Sequence, residues 1–309
     1  MLRKRTVIVL GAGASMPYGF PSGSELLYEA CRHDLRRLRA EVAPYPEESI
    51  EALHEALRGT LDTSLDAMLE SRPEIVMAGK ALMARRLLDC ERTMLGGHVV
   101  RNETYWHEFL WTACDTRSLT HFRETPVTLV TYNYDRSLEF ALIRALHTKF
   151  NCPLPECAAA LDCIGPIHLH GQLGFLPAFK GDPNGTVPFG GDGGQLLERD
   201  LLAATNGIRI VHEPSPQDEA FVRARDAFAA AERVIFLGFG YSVRNMERLQ
   251  LGECLKAETE VYLCATGFTP AQQVSHVRPY FIQNGPSPYV GREEHDIVQF
   301  LRNFPTALL

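Results

Sequence analysis

Apolar residues along this chain follow two rhythms. Short unbroken runs rich in β-branched residues recur at Val7-Ile8-Val9-Leu10 and at residues 126–131, 233–237 and 260–264. Such runs mark strands buried on both faces of a parallel sheet. Elsewhere the period lengthens to that of a helix. Leu53, Ala56 and Leu57 keep helical spacing, as do Leu65, Met68 and Leu69. Trp106, Phe109, Leu110 and Ala113 stand at i, i+3, i+4 and i+7, an aromatic stripe that reads as core. Strands alternating with helices predict an α/β fold, a Rossmann-like doubly wound parallel sheet.

The pattern divides the chain unevenly. Residues 25–118 look helical throughout, which predicts an α-helical module inserted between the first two strands of a single domain spanning 1–309. Ser22 or Ser24 is placed to cap its first helix, and Asp62 or Thr63 a later one. Residues 137–147, 217–231 and 244–255 predict further helices. Thr269 or Pro270 opens another, and Ile297, Val298, Phe300, Leu301 and Phe304 form the apolar face of a terminal one. Residues 164–170 and 207–212 predict short strands, and residues 151–160 a loop rich in Cys and Pro. The glycine-rich stretch 171–194, punctuated by Pro177, Pro183 and Pro188, is irregular for so long that it reads as a mobile lid or partner-facing loop, or as plain disorder.

Composition changes this picture in three places. At 45% hydrophobic residues the chain can build a substantial core. Thirty-one Lys and Arg against 38 Asp and Glu leave a net charge of −7, so direct nucleic-acid binding, which favours a basic surface, is not expected. None of the eight cysteines forms a Cys-x-x-Cys pair. The spacings of Cys152, Cys157 and Cys163 are not those of a zinc ribbon, so free thiols in a reducing cytoplasm are expected. Residues 1–6 are too basic and too short for a signal sequence. No segment approaches the roughly 18 apolar residues that span a membrane, so no membrane association is expected.

Candidate chemistry gathers at strand ends, where open α/β sheets bind ligands. The first strand runs into Gly11-Ala12-Gly13-Ala14-Ser15, with Pro17, Gly19, Pro21 and Gly23 beyond. Strand, glycine turn and helix are the parts of a phosphate cradle. Met16 stands where a full dinucleotide fingerprint has glycine, and a turn without ligand reads equally well. The second strand ends in Thr131-Tyr132-Asn133-Tyr134-Asp135. Asn133 can orient a hydroxyl or a water, and Asp135 can accept from an amide or a sugar hydroxyl. An Asx turn capping the next helix is the competing reading, and both can hold together. In Ile167-His168-Leu169-His170-Gly171, alternation puts the two histidines on one face with His170 nearest the tip, suited to move protons near neutral pH. A satisfied core or surface histidine is the alternative, and a metal pair would lack a third ligand. Gly238-Phe239-Gly240-Tyr241-Ser242, with Asn245 one turn on, is a second glycine turn, and two such turns fit the two halves of a dinucleotide site.

Taken in order, Gly11 to Ser15, Gly19-x-Pro21, Thr131 to Asp135, His170-Gly171 and Leu237 to Gly240 resemble the sirtuin superfamily. They are most similar to its bacterial sirtuin-like NAD-hydrolase branch, found in anti-phage defence. The resemblance runs from residue 7 to about residue 264 and implies a Rossmann-like sheet binding NAD. It implies that Gly11, Ala12, Gly13, Ala14 and Ser15 contact the diphosphate and adjacent ribose. Asn133 would hold the nicotinamide ribose or the attacking water, Asp135 the carboxamide, and His170 would be the general base. Gly238, Gly240, Ser242 and Asn245 would line the adenosine half. Pro21, Thr131 and Phe239 belong to the same implied NAD-binding set.

Ser22-Gly23-Ser24 stands where deacylating sirtuins carry Asp-Phe-Arg, and their paired Cys-x-x-Cys motifs for structural zinc are missing. Both departures favour an NAD+ glycohydrolase that releases nicotinamide and ADP-ribose, without zinc. The resemblance further implies an abortive-infection effector that depletes NAD, a homo-oligomer, and an activating partner such as a DNA-translocase ATPase or an Argonaute-type protein. An NAD-dependent protein-lysine deacylase and a non-catalytic NAD- or ADP-ribose-binding sensor or assembly subunit remain as alternatives.

Overall fold

The computed structural model describes residues 1–96, 105–179, 185–192, 196–210, 218–281 and 288–308. Six parallel strands form one sheet: β1 (Thr6–Leu10), β2 (Val127–Thr131), β3 (Ile167–His168), β4 (Arg233–Leu237), β5 (Glu260–Leu263) and β6 (Tyr289–Val290). Their spatial order is β3-β2-β1-β4-β5-β6. Leu10 pairs with Thr131 on one side and with Leu237 on the other, and Thr131 pairs with His168, so four strands end level. The order reverses between β1 and β4. In a doubly wound sheet the crossovers leave a crevice there, beyond the carboxyl ends.

Alternation along β1 decides what each face packs against. Ile8 and Leu10 join Leu129 in a core shared with the helical module, while Val7 and Val9 join Val130, Val234 and Phe236 in a second core. That second core is closed by Phe221, Ala224 and Phe228 of a helix at Glu219–Ala230. Both faces are therefore covered, and the fold is the Rossmann-like α/β sheet that the strand pattern predicts.

Among the described residues, seven α-helices lie between β1 and β2: α1 (Gly23–Cys31), α2 (Leu35–Val42), α3 (Glu47–Gly59), α4 (Leu65–Leu69), α5 (Val76–Leu95), α6 (His107–Ala113) and α7 (Leu119–Arg123). Ser22 caps α1 in a capping box with Glu25, its hydroxyl accepting from the Glu25 amide while Glu25 accepts from the Ser22 amide. Ser64, not Asp62 or Thr63, caps α4. It is the extended residue directly before the helix, and its hydroxyl reaches the Ala67 amide. The later helices are α8 (Ser137–Phe150), α9 (Leu154–Asp162), α10 (Glu198–Gly207), α11 (Glu219–Ala230), α12 (Val243–Leu249), α13 (Leu251–Cys254), α14 (Pro270–Gln272) and α15 (Ile297–Asn303).

Three local expectations are corrected. Residues 151–160 are not a loop: α9 begins after Pro153, and Pro155 stands in its first turn, where no amide donor is needed. The helix expected over 244–255 breaks at Gln250, which takes a left-handed conformation at φ 52°. In place of a strand near 207–212, α10 runs through Gly207 and Ile208 makes a single antiparallel bridge to Gly171; residues 211–217 lie outside the described residues.

The described parts of the glycine-rich stretch, 171–179 and 185–192, are packed into the molecule, with Leu173 and Val187 fully buried. The Arg136 guanidinium anchors them, donating to the carbonyls of Gly174 at 3.2 Å and Val187 at 2.6 Å. Its other edge forms a buried bidentate pair with Glu91 of α5, at 3.0 and 2.5 Å, and Glu91 also accepts from the Gly190 amide. A lid reading does not fit these segments; residues 180–184 and 193–195 lie outside the described residues.

Candidate functional site

At the switch point the two glycine turns interlock. The Gly11 amide donates to the Leu237 carbonyl at 3.1 Å and the Gly13 amide to the Gly238 carbonyl at 2.9 Å. The Ala14 and Ser15 amides donate back to Gly11 and Ala12. Gly238, at φ 58°, sits so close that a Cβ there would lie 2.1 Å from the Ala14 nitrogen. Here glycine serves the approach of one turn to the other, and four of the five amides from Gly11 to Ser15 are occupied within the protein.

Asn133 closes this knot from β2. Its Nδ2 donates to the Gly11 carbonyl at 2.9 Å and to Ser15 Oγ at 3.0 Å, and its amide donates to Thr131 Oγ1. Asp135 is buried beside it and accepts from the Ser137 amide at 3.0 Å and the Ser137 hydroxyl at 2.5 Å. The Asx-turn reading thus describes its local geometry. Burial pushes the Asp135 carboxyl above its ordinary range, opposed by hydrogen bonds from Ser137 and Ser15.

The helical module reaches into the knot. Trp106 Nε1 donates to the Ala14 carbonyl at 2.7 Å, and the His107 amide donates to Tyr18 Oη at 3.0 Å while the two rings stack at 3.9 Å. The space left among Ser15, His107, Thr131, Asn133, Asp135 and Glu139 is about 10 Å³, room for at most one water. Two further contacts tie α4 and the residue after it across the crevice. Tyr134 Oη donates to Asp66 at 2.5 Å, and Arg244 pairs with Glu70.

The histidines do not share a face. β3 pairs over only two residues, so the alternation expected through residue 170 stops at His168, and Gly171 turns the chain at φ 72°. His168 points towards α8, where its Nδ1 donates to the Asn133 carbonyl at 2.8 Å and its Nε2 donates to Glu139 at 2.6 Å. The His170 ring packs instead on Tyr132, at 5.2 Å between centroids, and on Phe221 at 6.2 Å. Its Nε2 is buried without a hydrogen-bond partner among the described residues. Burial, together with the nearby charges of Arg248 and Arg209, pushes the His170 pKa down to about 3, so the ring is neutral near pH 7. Tyr132 links this histidine to the second turn: it meets Phe239 at 5.1 Å, and its hydroxyl donates to the Asn245 carbonyl at 2.9 Å.

Of the expected site residues, Gly11, Gly13, Ala14, Ser15, Thr131, Asn133, Asp135 and Gly238 meet in one knot. His170, Phe239 and Asn245 gather around Tyr132 on its other side. Gly240 stands in open space, and Ser242 is exposed and spends its hydroxyl on capping α12. Pro21 precedes the α1 cap, and Ala12 is exposed at the tip of its turn.

No family model and no curated protein matches this chain. Among solved structures it is similar to one titled as the crystal structure of a Sir2 homolog–NAD complex. The likeness covers 99% of this chain and 92% of that one, with 15% identity and a TM-score of 0.45.

The site also contains residues that the sequence did not mark. Trp106 and His107 approach from about 90 positions away, with no local signal beyond an apolar stripe. The His168–Glu139 pair had half a signal, since the alternation singled out His168 as the face-mate of His170 but nothing tied it to the first turn of α8. Burial alone would lower the His168 pKa, but the Glu139 carboxylate and the Asn133 carbonyl outweigh it and the net shift is upward. A histidine whose folded pKa is raised stabilises the fold fully below its unfolded pKa and loses that contribution as pH rises through the folded value. The stability advantage of the wild type over Glu139→Gln should therefore shrink between pH 6 and pH 8, by at most about 1.4 kcal/mol per pH unit. Urea unfolding of both proteins at each pH checks this, and a constant difference would show that His168 is uncharged in the fold.

Proposed function

We propose that this chain is an NAD+ glycohydrolase that cleaves NAD+ to nicotinamide and ADP-ribose. The observation that carries this reading is the meeting of two glycine turns at the switch point of a parallel sheet, with Asn133 and His170 on adjacent strand ends. The ordered motif resemblance to sirtuin-like NAD hydrolases supports the same chemistry. On that resemblance the chain acts as a cytoplasmic, homo-oligomeric effector of anti-phage defence, held in check until a partner activates it. The space of about 10 Å³ left in the knot is too small for a dinucleotide, which supports such a resting state.

The reaction asks little of the protein. Nicotinamide leaves from a cationic pyridinium and needs no general acid, while the ribose passes through an oxocarbenium-like state. Asn133 has its amide nitrogen fixed by Gly11 and Ser15, which leaves Oδ1 to accept from a water or a ribose hydroxyl. His170 is neutral near pH 7, so its ring carries an unprotonated nitrogen, and with its pKa held near 3 it becomes an effective base only when ligand entry raises that value. General-base help of this kind is worth roughly 10² to 10⁴ in rate.

Incubating the protein with NAD+ and resolving the products by chromatography tests the reading. Nicotinamide and ADP-ribose should appear in equal amounts with the wild type in its activated native assembly. Release should fall by about 10²-fold or more in Asn133→Ala and His170→Ala. NAD+ left intact by the native assembly, with its partner present, would sink the reading.

A further inference from the structure

Three buried polar atoms around Tyr132 lack hydrogen-bond partners among the described residues: His170 Nε2, Asn245 Oδ1 and Arg248 Nη1. Asn245 and Arg248 lie three residues apart on α12, hence on one face of the helix. Tyr132 joins the set, stacked on His170 and bonded to the Asn245 carbonyl, and the Arg248 charge is felt by both rings. Buried polar groups are nearly always satisfied, so three orphans on residues that neighbour one tyrosine call for a ligand or ordered water. Arg248 also borders an open groove of about 340 Å³ that it shares with Arg244, Glu247 and Gln250. Arg244 is engaged by Glu70, which leaves Arg248 as the groove's uncommitted cation.

The first glycine turn sharpens the question. A diphosphate there would ordinarily be cradled by free amides, yet the amides of Gly11, Gly13, Ala14 and Ser15 are already donated to protein carbonyls. The negative charge must be met elsewhere in the crevice.

We propose that Arg248 is the diphosphate-binding residue of this site, its guanidinium taking the phosphate oxygens of a dinucleotide while Asn245 accepts from the adjoining ribose. The proposal rests on the dinucleotide reading above and names a residue that reading did not use. A planar guanidinium is suited to two phosphate oxygens at once, which an ammonium is not. The binding has a consequence for the base. Phosphate beside Arg248 offsets the positive charge that helps keep His170 from accepting a proton, so the correct ligand raises the basicity of the residue that needs it.

Calorimetry on the full chain tests this with two probes, ADP-ribose and adenosine, which differ in the diphosphate. Arg248→Gln should weaken ADP-ribose binding by about 10- to 100-fold and leave adenosine unchanged. Arg248→Lys, which keeps the charge and most of the stem, should fall in between and guards against a folding defect in the first variant. Equal affinity of wild type and Arg248→Gln for ADP-ribose overturns the role of Arg248 alone. So does an equal loss for both probes, which would mark Arg248 as structural. A wild type that binds neither ADP-ribose nor NAD+ overturns the dinucleotide reading, and this proposal with it.

Discussion

Replacing Glu91 by alanine should destabilise the protein by about 3–5 kcal/mol, among the largest effects of any single truncation in it. Glu91 and Arg136 are both almost wholly buried, and their pair is bidentate. Removing the carboxylate leaves a guanidinium in a low-dielectric interior with only carbonyls for company, and orphans the Gly190 amide as well. The double variant Glu91→Leu with Arg136→Met should recover only part of the loss. It removes the lone charge, but the carbonyls of Gly174 and Val187 then lose their donor, at about 1–3 kcal/mol each. Urea unfolding followed by circular dichroism measures all three proteins. A loss below about 1 kcal/mol in Glu91→Ala would show that the pair is not buried in solution.

Gly238→Ala should cost on the order of 3 kcal/mol or more, whereas Gly240→Ala, two residues away, should stay within about 0.5 kcal/mol. At Gly238 a side chain meets two obstacles. The positive φ alone costs an alanine about 1–2 kcal/mol. The new Cβ would also stand 2.1 Å from the Ala14 nitrogen and 2.4 Å from the Gly13 carbonyl carbon, both backbone atoms that cannot swing aside. At Gly240 nothing lies within 4 Å. Because the two turns bond to each other, the Gly238 variant should also lose the Asn133 contacts to Gly11 and Ser15. Comparing the two variants by thermal unfolding separates close packing from any general need for glycine in the turn. Equal stability of the pair would mean that the turns are not interlocked.

The fold was legible because its strands announce themselves. Residues 7–10, 126–131, 233–237 and 260–264 have no polar alternation, so they could only be buried on both sides. β6 escaped because two residues, Tyr289 and Val290, carry no periodicity at all. α9 escaped because proline and cysteine suggest a loop, although Pro155 in a first turn is no obstacle. The strand-tip motifs, far apart in the sequence, do come together in space, since Asn133, Ser15 and Gly238 converge. The histidine geometry could not be read, because alternation holds only while a strand is paired and β3 stops pairing at His168. Arg248 was invisible for a different reason. Its significance lies in a missing partner, and partners are a property of the fold and not of the local sequence.

The bonds from α4 to Tyr134 and from Glu70 to Arg244 change what a binding measurement on this protein means. If ligand enters only when these contacts are broken, the apparent affinity is the intrinsic affinity scaled by the fraction of molecules already open. An open fraction of about 1% would weaken every ligand of the crevice 100-fold, equivalent to about 2.7 kcal/mol, without altering any residue that touches it. Tyr134→Phe, which removes the bond to Asp66 and frees no charge beside Arg248, should then tighten all such ligands by one common factor, a signature that no change inside the crevice itself would produce.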